Sequence, residues 1–139
     1  MLPKLQIVLP NGQLTLDDLF LQKKIAFWLE IGFGGGEHLA AQAKAHPAVG
    51  FIGCEPFVNG VARLLVNIEQ ENLSNIRLFS DDARPLMDCI EDSKISRAFV
   101  LFPDPWPKKR HAGRRFINPE NLDTLSCILR DGAEVRVAS

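Results

Sequence analysis

Cysteine is scarce in this chain: Cys54, Cys89 and Cys127 are odd in number, widely spaced and never arranged as C-x-x-C. That pattern excludes a disulfide framework and a four-ligand zinc site and fits a reducing compartment, with Cys54 and Cys89 expected to pack as small hydrophobes. No apolar run reaches the 18 residues a membrane span needs. The opening MLPKLQIVLPNG has no charged segment ahead of a long apolar stretch, so no secretory signal is expected. Excess charge is missing too: 16 basic against 17 acidic residues leave a net charge of −1, which excludes a polycation that binds nucleic acid along its whole length. No internal repeat, linker or low-complexity segment occurs. At 139 residues the chain has the size of one domain with a real core.

Against that neutral background the basic residues are unevenly placed. Lys108, Lys109, Arg110, Arg114 and Arg115 put five cations into eight residues, with His111 among them. A tract of that density is suited to phosphate. Directly before it stands Phe102-Pro103-Asp104-Pro105-Trp106. The prolines fix their own φ, and Pro105 pushes Asp104 toward an extended conformation, so Asp104 is expected on a rigid loop at a strand end. Trp106 reads better as an anchor for that loop than as a platform for a base.

Periodicity supplies the frame. Residues 1–14, punctuated by Pro3, Pro10, Asn11 and Gly12, read as an irregular lead-in or short hairpin, and 15–24 as a short helix capped by Thr15. Apolar runs predict strands over 25–31, 48–54, 75–79 and 97–102. Helical patterns over 37–45, 57–72 and 83–91 separate them. Asn118-Pro119-Glu120 reads as N-cap, N1 proline and acidic first turn of a helix to Arg130, stopped by Asp131-Gly132 before a fifth strand from Ala133. Strands alternating with helices over short connections predict an α/β fold, a doubly wound, mostly parallel, Rossmann-like sheet. The fifth strand runs to the end of the sequence, which suggests a chain truncated at its C-terminus.

Ligands of such sheets bind beyond the carboxyl ends of the strands. Each of the first four predicted strands delivers an acid there: Glu30, Glu55, Asp82 and Asp104. Any one could merely cap an element, but four in register point to a ligand site. Gly32, Gly34 and Gly36 suit a tight strand-to-helix turn that a ligand can approach closely. A dinucleotide fingerprint would place glycine at position 37, where Glu37 stands; an acid at that helix start repels a pyrophosphate, which disfavours a nicotinamide cofactor. Glu55 has the spacing of an acid that accepts both ribose hydroxyls. Asp82 can accept from an adenine amino group, and Glu30 can meet an ammonium or brace the glycine loop. Ribose, adenine and ammonium together describe S-adenosyl-L-methionine. There is no Pro-Cys dipeptide for a covalent-thiol route to cytosine methylation. His38 and His46, near helix ends, read as surface or capping groups.

The run Leu29-Glu30-Ile31-Gly32-Phe33-Gly34-Gly35-Gly36, the acid at Glu55, Asp82-Ala83 and above all Phe102-Pro103-Asp104-Pro105-Trp106 with its basic followers resemble the bacterial tRNA (guanine-N7-)-methyltransferase family. The resemblance covers Leu29 to Ser139. It implies a domain over residues 25–139 after a lead-in over 1–24, cofactor contacts from Glu30, Gly32, Gly34, Gly36, Glu55, Asp82, Ala83 and Asp104, substrate contact by Lys108 and RNA contact across Arg110, His111, Arg114 and Arg115, with no metal. It further implies a tRNA partner, a cytoplasmic enzyme acting as monomer or homodimer, and Asp104 as the residue nearest the chemistry. The family's next acidic motif and its C-terminal segment lie past Ser139, so a folded but inactive, RNA-binding form is the alternative. The Pro-Asp-Pro-Trp loop also has some likeness to the Asp/Asn-Pro-Pro-aromatic loop of exocyclic-amino methyltransferases, the other alternative.

Overall fold

The computed structural model describes residues 2–101 and 118–138. In chain order it contains a one-turn helix α1 (Leu2–Leu5), then β1 (Ala26–Ile31), α2 (Glu37–Ala45), β2 (Val49–Cys54), α3 (Val58–Glu71), β3 (Ile76–Phe79), α4 (Ala83–Cys89), β4 (Ile95–Leu101), α5 (Pro119–Ile128) and β5 (Leu129–Ala138). The five strands form one sheet in the order β3-β2-β1-β4-β5, and all four pairings are parallel. The chain winds outward from β1 to β3 and then returns to lay β4 on the other side of β1. That reversal makes the doubly wound sheet expected from the alternation of elements, and it opens a crevice beyond the carboxyl ends of β1 and β4.

Both faces of the inner strands are covered, which is why they read as nearly continuous apolar runs. Because successive strand side chains alternate faces, β1 serves two cores. Trp28 joins Leu39, Ala43, Val61, Leu64 and Ile68 of α2 and α3 on one face. Phe27, Leu29 and Ile31 join Leu86, Met87, Leu125 and Ile128 of α4 and α5 on the other. The early residues Ile7, Leu14, Leu16 and Phe20 are buried in that second core. Asn75, just ahead of β3, is buried and donates to the carbonyls of Ala43, His46 and Val49, tying the end of α2 to the start of β2.

Several boundaries differ from the sequence reading; α4, for one, ends at Cys89 rather than at 91. Residues 15–24 carry only one 3₁₀ turn, Leu16–Leu19; Thr15 makes no side-chain cap, its carbonyl accepts from the Asp18 amide at 3.1 Å, and the Leu16 amide donates to Glu91 Oε1 at 3.0 Å. Of the two readings of residues 1–14 the irregular lead-in holds: among the described residues there is no hairpin, and beyond α1 they touch the frame through isolated parallel bridges, Gln6 to Leu78 and Leu14 to Ile90. β4 begins at Ile95, two residues early. The last helix ends at Ile128, and Asp131-Gly132 lies inside β5. The register explains this. Ile95 pairs with Leu129 but Arg97 with Glu134, so four residues of β5 oppose one of β4. Gly132, at φ +80°, takes the left-handed conformation that this bulge requires. What looked like a helix stop is a strand bulge.

Candidate functional site

The crevice is built from the glycine loop outward. Gly32 follows β1 at φ +75°, and a Cβ placed on it would stand 2.5 Å from the Leu101 carbonyl oxygen at the end of β4. Only glycine lets the loop pass so close to that strand. Gly34 and Gly36 also have positive φ, and Gly36 is the N-cap of α2. Opposite the loop, a Cβ on Gly60 of α3 would collide with the Gly34 carbonyl, so loop and helix meet backbone to backbone.

Glu55 fixes this arrangement. It lies one residue past β2, only 5% exposed, and its Oε1 accepts from the Gly34 amide at 2.8 Å while Oε2 accepts from the Phe57 amide at 3.3 Å. A carboxylate offers about four acceptor positions, so two remain for hydroxyl groups of a ligand. Beyond β3, Asp82 caps α4 by accepting from the Arg84 amide at 2.9 Å, with Ala83 buried behind it. The Cys54 thiol at the end of β2 is fully buried, and burial pushes it up, with the charges of Asp82 and then Glu55 pushing it further. Cys54 is therefore an inert core residue.

Glu30 sits on the Trp28 face of β1 and is 2% exposed. Its Oε1 lies 2.5 Å from His38 Nδ1 on α2, and its Oε2 is buried with no hydrogen-bond partner among the described residues. Burial pushes the Glu30 carboxyl above the ordinary carboxylate range; the hydrogen bond and charge of His38 pull it partly back. His38 also sets its ring edge-on to Phe99 of β4, centroids 4.9 Å apart. His38 is exposed at the surface, as the sequence reading expected, with its side chain 41% exposed, and it makes these two contacts from there. Glu37, the acid that disfavours a pyrophosphate, is exposed and paired with Arg63 of α3 at 2.8 Å. Phe57, directly beyond the Glu55 corner, is 73% exposed and adds an apolar surface that the sequence reading had not singled out.

The structure therefore gathers Glu30, Gly32, Gly34, Gly36 and Glu55 around one loop, with Asp82 and Ala83 at the neighbouring strand end. Asp104, Trp106, Lys108, Arg110, His111, Arg114 and Arg115 lie outside the described residues. Among the described residues no cluster of three or more His, Cys, Asp or Glu could hold a metal, and no helix is long and apolar enough to cross a membrane.

A parallel sheet with a chain reversal, a glycine turn and acids at successive strand ends defines an α/β domain of the methyltransferase kind. Solved structures share that fold. The similarity to a precorrin-6y C5,15-methyltransferase from Geobacter metallireducens has a TM-score of 0.64 at 15% identity, over 84% of this chain and 55% of that one. A SAM-dependent methyltransferase from Geobacter sulfurreducens, in complex with S-adenosyl-L-homocysteine, is similar at a TM-score of 0.59 and 18% identity over 84% of this chain and 42% of that one. The chain belongs to the methyltransferase family whose model, described as "Putative methyltransferase", matches residues 24–139. Within the curated proteins it is 49% identical to a tRNA (guanine-N(7)-)-methyltransferase of Paramagnetospirillum magneticum, covering 100% of this chain and 60% of that protein. It is 54% identical to the Rhodospirillum rubrum enzyme of the same name, over 87% of this chain and 48% of that protein. The chain thus spans about half to three-fifths of the length of these relatives.

Proposed function

We propose that this chain carries the cofactor site, and part of the RNA contact, of a SAM-dependent enzyme that methylates N7 of a guanosine in tRNA. The observation that carries the reading is Glu55: a nearly buried carboxylate held on the Gly34 amide with acceptor capacity left over. The residues fit the group. Glu55 would accept the ribose hydroxyls, Asp82 the adenine amino group, and Phe57 would flank the base with apolar surface. Glu30 has an orphaned buried oxygen that an ammonium would satisfy. S-adenosyl-L-methionine, when bound, supplies an electrophilic methyl on a sulfonium.

Guanine N7 presents a free lone pair on the major-groove edge, so its methylation removes no proton and needs no general base. The task left to the chain is alignment, together with negative charge that favours a cationic product. Asp104, three residues beyond Leu101, is assigned that charge. Lys108, Arg110, His111, Arg114 and Arg115 are assigned to the substrate and its phosphates. The partner is tRNA, the place of action the cytoplasm, and the enzyme works as a monomer or homodimer. Calorimetric titration with S-adenosyl-L-homocysteine is expected to show binding that Glu55→Ala abolishes. Asp104→Asn is expected to reduce methyl transfer to tRNA far more than tRNA affinity. Absence of binding by the folded wild-type chain overturns the cofactor site, and equal loss of turnover and affinity in Asp104→Asn overturns the role of Asp104.

A further inference from the structure

The pairing of Glu30 with His38 has no place in that outline. Among the described residues Glu30 is the most buried acid of the crevice, and one of its two oxygens has no partner there. A half-satisfied buried carboxylate is costly unless a charged donor meets it. The donor present is His38, eight residues on, in the first turn of α2. Its ring is held on two sides, by Glu30 Oε1 at 2.5 Å and by the Phe99 ring. The neighbours of Glu30 in the sheet are Gly53 on β2 and Phe99 on β4, neither of which titrates. Glu37, beside His38 on α2, is engaged by Arg63 of α3. Among the described residues the titratable side chain in contact with Glu30 is therefore His38.

We propose that His38 is a positioning residue: its Nδ1–H anchors Oε1 of an ionised Glu30, leaving Oε2 directed to the ammonium of the bound ligand. The assignment rests on the cofactor reading above and goes beyond it. It gives the helix after the glycine loop a part in reading the amino-acid end of the ligand, through a side chain that does not itself touch it. It also predicts a pH signature. Burial favours the neutral acid, so without the His38 donor Glu30 takes up a proton at higher pH and the ammonium loses its partner.

Two measurements on the full chain test this. Affinity for S-adenosyl-L-homocysteine is titrated between pH 5.5 and 8.5, and the Glu30 side-chain carboxyl is followed by carbon NMR in the ligand-free protein. His38→Phe keeps a ring beside Phe99 but removes the donor; it is expected to weaken binding about tenfold or more at pH 6, the size of a lost charge-assisted hydrogen bond, with the deficit narrowing toward pH 8.5. His38→Asn, whose amide can donate from near the Nδ1 position, is expected to stay within about threefold of wild type. The Glu30 midpoint is expected to rise in His38→Phe and to return toward wild type in His38→Asn. An unmoved midpoint, or a binding deficit independent of pH, overturns the role of His38 while leaving the cofactor site standing. A wild-type chain that binds no S-adenosyl-L-homocysteine while the midpoint still moves overturns the cofactor site itself.

Discussion

β1 and β5 both pair with β4, yet they are opposite kinds of strand. From Phe27 to Ile31 every residue of β1 is buried, including an acid, whereas seven of the ten residues of β5 are exposed. β1 holds its register along most of β4, whereas β5 slips by four residues against one. β1 can bury Glu30 because a helix covers it and supplies a histidine. β5 lacks such cover among the described residues: Asp131 is exposed, and Glu134 is only half-buried, where Arg136 and Arg97 meet it. The lesson is local: in this sheet a charge is buried where the next helix brings its partner, and otherwise stays in water.

The comparison can be broken hardest from the β1 side. Leu64 of α3 is fully buried beneath Gly36, and Leu64→Ala is expected to cost about 2–5 kcal/mol through the cavity it leaves. Chemical denaturation measures this, and a cost near zero would show that the two helices do not share a packed core with β1. Next, Gly32→Ala adds a methyl against the Leu101 carbonyl at a left-handed φ, and about 1–3 kcal/mol of destabilisation is expected from the strain. A neutral Gly32→Ala in the same assay would mean the loop can move away from β4.

Glu30→Gln sharpens the contrast by exchanging the buried charge for a neutral amide that still accepts from His38. The folded chain holds the Glu30 proton more tightly than the unfolded chain does. The stability Glu30 contributes is therefore present at acid pH and lost as pH rises through its raised titration range. Glu30→Gln should accordingly match wild type near pH 4 and be more stable by about 1 kcal/mol near neutrality, while binding S-adenosyl-L-homocysteine more weakly. Thermal unfolding across pH checks this, and a variant equally or less stable at pH 7 would contradict it. The smallest effect belongs to β5: Val137 is exposed, and Val137→Thr is expected to stay within about 0.5 kcal/mol. A larger loss would mean that β5 is covered in solution.

Much of this was legible in the residues. The apolar runs placed the first four strands to within two residues, because strands covered on both faces have little choice of composition. Glu30, Glu55 and Asp82 stand at or just past successive strand ends beside the glycine turn, since a parallel sheet gathers its loops at one end; Asp104 lies outside the described residues. The boundary of β5 was not legible: Asp131-Gly132 is ordinary helix-stopping chemistry, and only the pairing with β4 turns it into a bulge. Thr15 makes no side-chain cap; its backbone carbonyl accepts from the Asp18 amide, and the Leu16 amide finds Glu91, 75 residues away, a partner no local pattern points to. His38 was missed for a similar reason. Its partner sits across a strand, a turn and a helix start, and no helical or strand period links the two positions.

The meeting of Gly34 with Gly60 bears on how the crevice can change. Where two main chains form a wall with no side chain between them, substitution can narrow the space but has nothing to trim away. Any wider acceptance of ligands must come from displacing α3 as a body, or from the side chains at the rim, Phe57 and Asp82. The crevice is thus adjustable at its mouth and fixed at its floor.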